Sequence, residues 1–240
     1  MFNYIYIVLL SMGISLLGTM VGASLGMVIR KPDKRFLSAI MGLAGGLMLS
    51  VIVFELIPEG VEKIGLISTV LFYALGIVTV LFIEIFISKD KSQDSYSQMA
   101  FVTALGLMLH NLPEGIIMGS GFLLDKTIGI GMSLIIAIHD IPEGLAVTAP
   151  LMAKGVSISK IIIYAFVTAL PTALGAAIGV SLGNVSDYYL GACLSLASGI
   201  MIYVVFAELI PESNKLWSGF ITGLSAIIGL TLGFVMINLI

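Results

Sequence analysis

Eight apolar stretches of about twenty residues follow one another along the chain, and they restrict its fold more than any other feature. A helix of ~20 residues crosses the ~30 Å hydrocarbon layer of a membrane. Only 10% of the residues are charged, and the mean hydropathy is +1.15. Strands of a membrane barrel would be ~10 residues long and would alternate in polarity, which these stretches do not. The sequence therefore predicts an all-α integral membrane protein. The predicted spans, numbered 1 to 8, are 4–28, 37–57, 66–88, 98–122, 128–149, 158–182, 189–210 and 217–239.

The links between the spans are short and leave no room for a separate soluble domain. We therefore expect residues 1–240 to form a single transmembrane domain. The first span has no basic segment before its apolar run and no small-residue cleavage signal, so we expect it to be retained as a helix. The single cysteine, Cys193, excludes an internal disulfide.

The basic residues are distributed unevenly between the two sides of the predicted membrane domain. With eight spans, Lys63 and Lys126 fall on one side and the other nine fall on the opposite side. Because lysine and arginine concentrate in cytoplasmic links, we expect a multi-pass protein of the cell (inner) membrane with both termini outside the cytoplasm. The nine residues assigned to the cytoplasmic side are Arg30, Lys31, Lys34, Arg35, Lys89, Lys91, Lys154, Lys160 and Lys215.

An internal repeat relates the two ends of the chain. Residues 43–59, "LAGGLMLSVIVFELIPE", align without a gap with residues 196–212, "LASGIMIYVVFAELIPE", and residues 17–26 align with 174–183. Because this shift of five spans is odd, the second copy enters the membrane from the opposite side. The sequence thus predicts a 3+2+3 arrangement, in which spans 1–3 and 6–8 are inverted repeats around spans 4 and 5. Inverted repeats of this kind are a transporter design, since two similar halves can alternate around a central site.

Glycines recur every four residues in the first span of each repeat. Small residues in one stripe of a helix let two backbones approach closely, so we interpret both stripes as packing surfaces. They consist of Gly18, Gly22 and Gly26 in span 1, and of Gly175, Gly179 and Gly183 in span 6.

A histidine, a proline and a glutamate recur at the same spacing in the middle of spans 4 and 5. The two copies are "HNLPEG", residues 110–115, and "HDIPEG", residues 139–144. Side chains four residues apart share one face of a helix, so His110 lies beside Glu114 and His139 beside Glu143. The proline cannot donate the usual helical hydrogen bond, which leaves a backbone carbonyl available next to each pair. Each central span thus offers an imidazole, a carboxylate and a carbonyl on one face.

Carboxylates at this depth of the membrane need compensation. Each charged side chain costs about 2.5–3.5 kcal/mol at the bilayer centre. The residues around them are apolar and not basic, which leaves a bound cation, protons or a water-filled path. Histidine nitrogen with carboxylate oxygen suits zinc and other first-row divalent ions, whereas calcium and magnesium prefer oxygen alone. The two histidines and two glutamates are therefore predicted to bind a divalent transition metal.

The residue after each histidine extends this predicted site. Asn111 and Asp140 lie about 100° further round their helices. There they could form a second metal site that shares Glu114 and Glu143 as bridging ligands.

Four further glutamates lie in the repeated "ELIPE" segments. Glu55 and Glu59 fall at the outer end of span 2, and Glu208 and Glu212 fall at the inner end of span 7. We predict that they form an acidic entrance and an acidic exit for the central site. For Glu59 and Glu212 the alternative interpretation is a solvated helix end.

The paired motifs "HNLPEG" and "HDIPEG", inside eight spans with outside termini, resemble the ZIP (Zrt-, Irt-like) metal transporters, and most closely their bacterial GufA-like branch. The resemblance implies passage of zinc, and often of iron, manganese, cobalt or cadmium, into the cytoplasm, and a homodimer in the lipid bilayer. It also implies a soft metal contact from Met48, which its surroundings alone would favour as a core methionine. The implied metal ligands are His110, Asn111, Glu114, His139, Asp140, Glu143 and Met48. Family members with two metals often carry a glutamate in span 6, where this chain has Pro171 and Thr172.

Two other classes of function stay open from the residues alone. A metal-selective channel could use the same ligands, and only a carrier would show counter-transport. An intramembrane metal-dependent hydrolase could also hold zinc by His and Glu, but the chain lacks "HExxH" and catalysis has no need of inverted repeats. We therefore expect no enzymatic activity, no cofactor and no nucleic-acid partner, and we expect zinc or a similar ion as the transported substrate.

Overall fold

The computed structural model describes residues 4–28, 33–87, 95–124, 126–153, 155–181, 186–217 and 219–239. Within the helices it describes no side chain at 28, 86–87, 95–103, 110, 124, 128, 139, 142, 146, 149–150, 153 and 239. Helix is the only regular secondary structure among the described residues. The α-helices are α1 Tyr4–Val28, α2 Lys34–Val51, α3 Ile57–Ile87, α4 Ser95–Leu124, α5 Lys126–Ala153, α6 Ile158–Ser181, α7 Asp187–Tyr203, α8 Ile210–Leu216 and α9 Phe220–Leu239. Six residues named above, Arg30, Lys31, Lys89, Lys91, Lys154 and Gly183, lie outside the described ranges.

The helix of span 2 extends beyond the predicted span of 37–57, because it continues through Pro58 and breaks only at Gly65, where φ is 75° and ψ is 161°. A π-helical turn at Ile52–Leu56, called here the first π turn, joins α2 to α3, and the Ile57 N–H donates to the Ile52 carbonyl. The wider turn relieves the clash that a proline ring makes with the preceding turn of an α-helix.

The second copy of the repeat also contains a π-helical turn. The second π turn, Val204–Leu209, joins α7 to α8, and the Ile210 N–H donates to the Val205 carbonyl. Pro211 follows it after one residue, Ile210, just as Pro58 follows the first π turn after Ile57. The shared "ELIPE" sequence therefore produces the same local backbone in both copies.

The surface and the interior identify a membrane protein. Leu17, Ile67 and Phe220 expose 66%, 78% and 73% of their surface, whereas Ser38 and Thr172 are completely buried. A soluble protein shows the reverse preference, while polar residues of membrane helices face the interior of the bundle. Five helical segments of the described residues are long and apolar enough to cross a membrane, namely Tyr4–Met27, Lys34–Ile85, Ile158–Ser181, Asp187–Leu216 and Phe220–Asn238. The predicted multi-pass helical membrane protein is thus confirmed.

Four pairs of helices pack extensively along their lengths: α1 with α5, α4 with α6, α2 with α9 and α3 with α7. A methyl group on Gly22 of α1 would overlap the carbonyl oxygen of Ile141 in α5. A methyl group on Gly175 of α6 would overlap the carbonyl oxygen of Leu112 in α4. The packing role predicted for the described glycines of both stripes is therefore confirmed, since these positions admit no side chain.

At least three of these helix pairs run parallel. Gly18 lies against Ala137 and Gly22 lies against Ile141, so contacts advance in the same direction along α1 and α5. If successive helices cross the membrane in alternating directions, two helices separated by an even number of spans run in the same direction. The parallel pairs fit this arrangement. The same order holds for Gly175 and Gly179 against Leu112 and Ile116, and for Gly42 and Gly46 against Thr222 and Ala226.

The main apolar core joins the two copies of the repeat. Met48 and Ile52 from the first copy and Met201 and Val205 from the second are completely buried in one cluster. Ile117 of α4 belongs to the same cluster. The core thus lies beside the central helices that carry the predicted metal site.

Candidate metal centre

Three carboxylates and one carboxamide are among the buried polar side chains of the central helices α4 and α5, which contact each other. Asn111 and Glu114 on α4 expose 2% and 1% of their surface, and Asp140 and Glu143 on α5 expose 0% and 1%. Buried carboxylates in a membrane helix bundle typically mark the path of an ion or a proton. The structure therefore places all four of these predicted site residues in the interior of the bundle.

The side-chain amide of Asn111 is held in one orientation by α6. Its Nδ2 donates a hydrogen bond of 2.8 Å to the Thr168 carbonyl. Its Oδ1 is buried and accepts no hydrogen bond within the described part of the chain. Because the donor end is fixed by the backbone, the carbonyl end is the atom available to a cation. An amide oxygen is an established type of metal ligand, so Asn111 fits the predicted role.

The predicted nitrogen ligands, His110 and His139, belong to α4 and α5, but their side chains lie outside the described residues. Among the described side chains, which leave out both histidines, no three His, Cys, Asp or Glu residues come close enough to hold a metal ion. The complete ligand set therefore stays a prediction. Met48 lies in the apolar core, as its surroundings in the sequence favour, and its contact with a metal also stays a prediction.

Thr172, in the part of span 6 where two-metal relatives often carry a glutamate, contacts α1. Its Oγ1 is 3.3 Å from Ser15 Oγ, and both side chains are completely buried. Ser15 and Thr172 belong to the aligned first spans of the two repeats, so this hydroxyl pair lies where the two copies meet. The position thus supplies a neutral hydroxyl that is already hydrogen-bonded.

A cavity of about 30 Å³ is lined both by Glu114 and by the first acidic segment, which consists of Glu55 and Glu59. Carboxylates that line a cavity with otherwise apolar walls attract cations when they are ionised. The structure therefore brings together two predicted entrance residues and one predicted metal ligand. The remaining lining residues are Val51, Leu56, Ile117, Met132, Ile135, Ile136 and Leu194.

One interpretation of the sequence placed Glu59 at a solvated helix end, but the structure does not. Glu59 lies inside α3, is partly exposed, and its Oε1 is 3.5 Å from Nζ of Lys63. Lys63 Nζ is also 3.6 Å from Oδ1 of Asp187, the first residue of α7. The spacing of Glu59 and Lys63 could have indicated their ion pair. The sequence contains no signal for the contact with Asp187, which is distant along the chain.

The second acidic segment, Glu208 and Glu212, lies in the second π turn and in α8. Both side chains are partly buried, and Glu212 Oε2 is 3.1 Å from Lys215 Nζ. Nearby, the hydroxyl of Tyr203 donates a hydrogen bond to Glu84 of α3. Neither Tyr203 nor Glu84 was predicted as part of a site, because the two residues belong to different spans and share no motif.

A multi-pass helical protein with buried carboxylates on its central helices, and with an acid-lined cavity that leads to one of them, belongs to the class of membrane transport proteins. The family model described as ZIP zinc transporter matches residues 88–240. The chain therefore belongs to the ZIP zinc transporter family, and the resemblance seen in its motifs is confirmed.

Individual relatives give the same assignment. The zinc transporters ZupT of Escherichia coli O7:K1 and of Salmonella paratyphi A are 29% and 31% identical to the chain over 214 residues, which is 82% of this chain and 83% of each relative. A longer protein of Arabidopsis thaliana, assigned as a zinc transporter, is 31% identical over 194 residues. Those residues are 76% of this chain but only 31% of the plant protein. All three relatives are named as transporters and not as enzymes.

Proposed function

We propose that this chain moves divalent transition metals into the cytoplasm, with zinc as the main substrate and iron, manganese, cobalt and cadmium as further substrates. The cavity shared by Glu55, Glu59 and Glu114 carries this proposal, because it links an acidic mouth to a buried carboxylate on the central helices. The bacterial relatives support the same substrate, since they are named as zinc transporters.

The metal is bound between α4 and α5, near the middle of the membrane. In this proposal His110 and His139 supply nitrogen, and Glu114 and Glu143 supply oxygen, which is a donor set that suits zinc. A divalent cation lowers the cost of keeping buried carboxylates charged. Asn111 supports the assignment, because its amide nitrogen is fixed by α6 and its oxygen is left for a ligand. Asp140 and Met48 complete the proposed set of metal contacts.

The chain is proposed to form one domain of eight spans in the 3+2+3 arrangement. The packing of α1 on α5 and of α6 on α4 supports it, because these pairs exchange under the alignment of spans 1 and 6 and of spans 4 and 5. The two π turns support it at the level of the backbone. Two equivalent halves can open the central site to one side of the membrane and then to the other.

The uneven distribution of the basic residues supports one membrane orientation. We propose that both termini face away from the cytoplasm in the cell (inner) membrane, so that Glu55 and Glu59 form the entrance and Glu208 and Glu212 form the exit. The protein acts in the lipid bilayer as a homodimer, as the family resemblance implies.

Metal entry into proteoliposomes that contain a fluorescent chelator tests the proposal. We expect the wild type to take up zinc, cadmium, iron(II) and manganese, and we expect Glu114→Ala combined with Glu143→Ala to abolish uptake. Glu62→Ala is the matched control, because Glu62 is an exposed carboxylate of α3 that does not line the cavity. Folded wild-type protein without any metal flux would contradict the proposal.

The same experiment separates a carrier from a channel. A carrier shows saturable uptake and counter-transport when metal is loaded inside the vesicles. Conductance far above the turnover of a carrier would assign a metal-selective channel with the same ligands.

A further inference from the structure

The ammonium group of Lys63 lies between two carboxylates that come from different helices. Lys63 Nζ is 3.5 Å from Glu59 Oε1 and 3.6 Å from Asp187 Oδ1. Glu59 lines the cavity that reaches Glu114, whereas the side chain of Asp187 is 83% exposed. The ammonium thus stands at the mouth of the cavity, with one acidic partner on the cavity wall and one in the surrounding water.

A glycine on α7, Gly191, lets Lys63 lie close to this helix. A Cβ atom on Gly191 would lie 2.8 Å from Lys63 Cβ and 2.7 Å from Ile64 Cγ2, which is closer than side chains approach. Gly191 comes one helical turn after Asp187, on the same face of α7. The glycine therefore lets the stem of Lys63 lie against α7, where its ammonium reaches both carboxylates.

We propose that the Lys63 ammonium competes with metal ions for Glu59. This competition sets the metal affinity of the cavity mouth and its selectivity for divalent over monovalent cations. The inference rests on the proposed function, since it concerns how metal enters the acid-lined cavity. Without metal, the ammonium is shared between Glu59 and Asp187. A divalent ion that arrives at Glu59 displaces the ammonium, which keeps its contact with Asp187.

Charge explains the selectivity. The attraction of a cation to Glu59 is proportional to its charge. A free monovalent ion therefore has no advantage over the ammonium, which is already tethered beside the carboxylate. A divalent ion is attracted about twice as strongly at the same distance, so it can take the place of Lys63. The exposed Asp187 lowers the cost of this exchange, because it holds the displaced ammonium.

Two single substitutions should change the affinity in opposite directions. Lys63→Met keeps the apolar stem and removes the competitor, so the KM for zinc should fall about two- to fivefold, as expected for a partly exposed ion pair, while kcat stays unchanged. Asp187→Asn removes the alternative partner, so the ammonium binds Glu59 more firmly and the KM should rise. Asp187→Asn in the Lys63→Met background should have no effect on the KM, because Asp187 acts through Lys63.

Initial rates of zinc uptake into proteoliposomes, measured over a range of zinc concentrations at low and high NaCl, test the inference. Lys63→Met should also make uptake more sensitive to inhibition by sodium. Lys126→Met is the control, since it removes the same charge on the same predicted side of the membrane, and it should leave the KM unchanged. Lys63→Arg should keep the wild-type KM.

The outcomes distinguish this inference from the proposed function. An unchanged KM in Lys63→Met, or a shift in the same direction for Lys63→Met and Asp187→Asn, would overturn the inference while zinc uptake still supports the function. Absence of uptake by folded wild-type protein would overturn both. If Lys63→Met does not yield folded protein, Asp187→Asn decides alone, because this residue is exposed and a rise in KM is expected.

Discussion

The two "ELIPE" segments have the same sequence and the same π turn, yet their lysines have different partners. In the first acidic segment, Lys63 bridges Glu59 and Asp187 and so connects α3 to α7. In the second, Lys215 pairs with Glu212 only three residues away and is 73% exposed. The repeated sequence thus reproduces the backbone and the carboxylates in both halves, while contacts between helices make one mouth different from the other.

The residue that follows each "ELIPE" segment differs as well. Gly60 follows the first segment, and an added Cβ there would lie 2.6 Å from Ser195 Oγ. Ser213 follows the second, and its hydroxyl donates to the Ser38 carbonyl at 2.7 Å and lies 2.8 Å from Thr222 Oγ1. A buried hydroxyl cluster of Ser38, Ser213 and Thr222 therefore ties α8 and α9 of the second half to α2 of the first half, and Gly60 has no hydroxyl with which to form an equivalent cluster.

The largest loss of stability is expected at positions where the two halves pack in the same way. Gly22→Ala and the equivalent Gly179→Ala each place a methyl group against a backbone carbonyl of a central helix. Each should lower the stability by about 3 kcal/mol, because the overlap forces two helix backbones apart. Thermal unfolding in detergent measures this effect.

Gly13→Ala is the matched control, since no atom lies within 4 Å of a Cβ at Gly13. It should be neutral or stabilise the protein by up to about 1 kcal/mol through helix propensity. A large loss in only one of the two variants, Gly22→Ala or Gly179→Ala, would show that the halves are not packed equivalently.

A smaller loss of stability is expected at a position where the two halves differ. Ser213→Ala removes the hydroxyl that connects α8 to α2 and α9, and it leaves Ser38 and Thr222 with fewer partners in a buried site. We expect a loss of about 1–3 kcal/mol, the usual cost of unsatisfied buried polar groups, again measured by thermal unfolding.

Thr231→Val serves as the comparison for this change, because Thr231 bonds only to its own helix and is exposed. It should change the stability by less than about 0.5 kcal/mol. Equal effects of Ser213→Ala and Thr231→Val would mean that the hydroxyl cluster does not hold α8 and α9 against α2.

The smallest effect is expected at the second acidic segment. Lys215→Met breaks an exposed pair within one helix, which contributes about 0–1 kcal/mol, so neither the thermal stability nor the KM for zinc entry should change measurably. Lys63→Met, assayed in parallel, should lower the KM. If Lys215→Met lowered the KM as much as Lys63→Met does, the two acidic segments would be equivalent, and the different partners of their lysines would have no functional meaning.

Much of the fold was predictable because it depends on local pattern. Long apolar runs indicated the helices, and the glycine spacing in α1 and α6 indicated the close packing that Gly22 and Gly175 show. The apolar run marked span 2 only as far as residue 57, whereas the helix continues through Pro58, which a π turn accommodates. Whether a proline ends a helix or widens one of its turns depends on packing around it, which a single sequence does not display.

The amino-acid sequence by itself determined that this protein is a helical membrane protein of the ZIP family, that its ends are copies of each other, and that its central helices carry buried metal-binding residue types. These properties follow from hydrophobicity, periodicity and the chemistry of short motifs. Only the tertiary structure decided that Glu55, Glu59 and Glu114 share a cavity, that Lys63 meets Asp187, and that Ser213 joins Ser38. Such contacts join residues far apart in the chain, and the way the helices pack sets them.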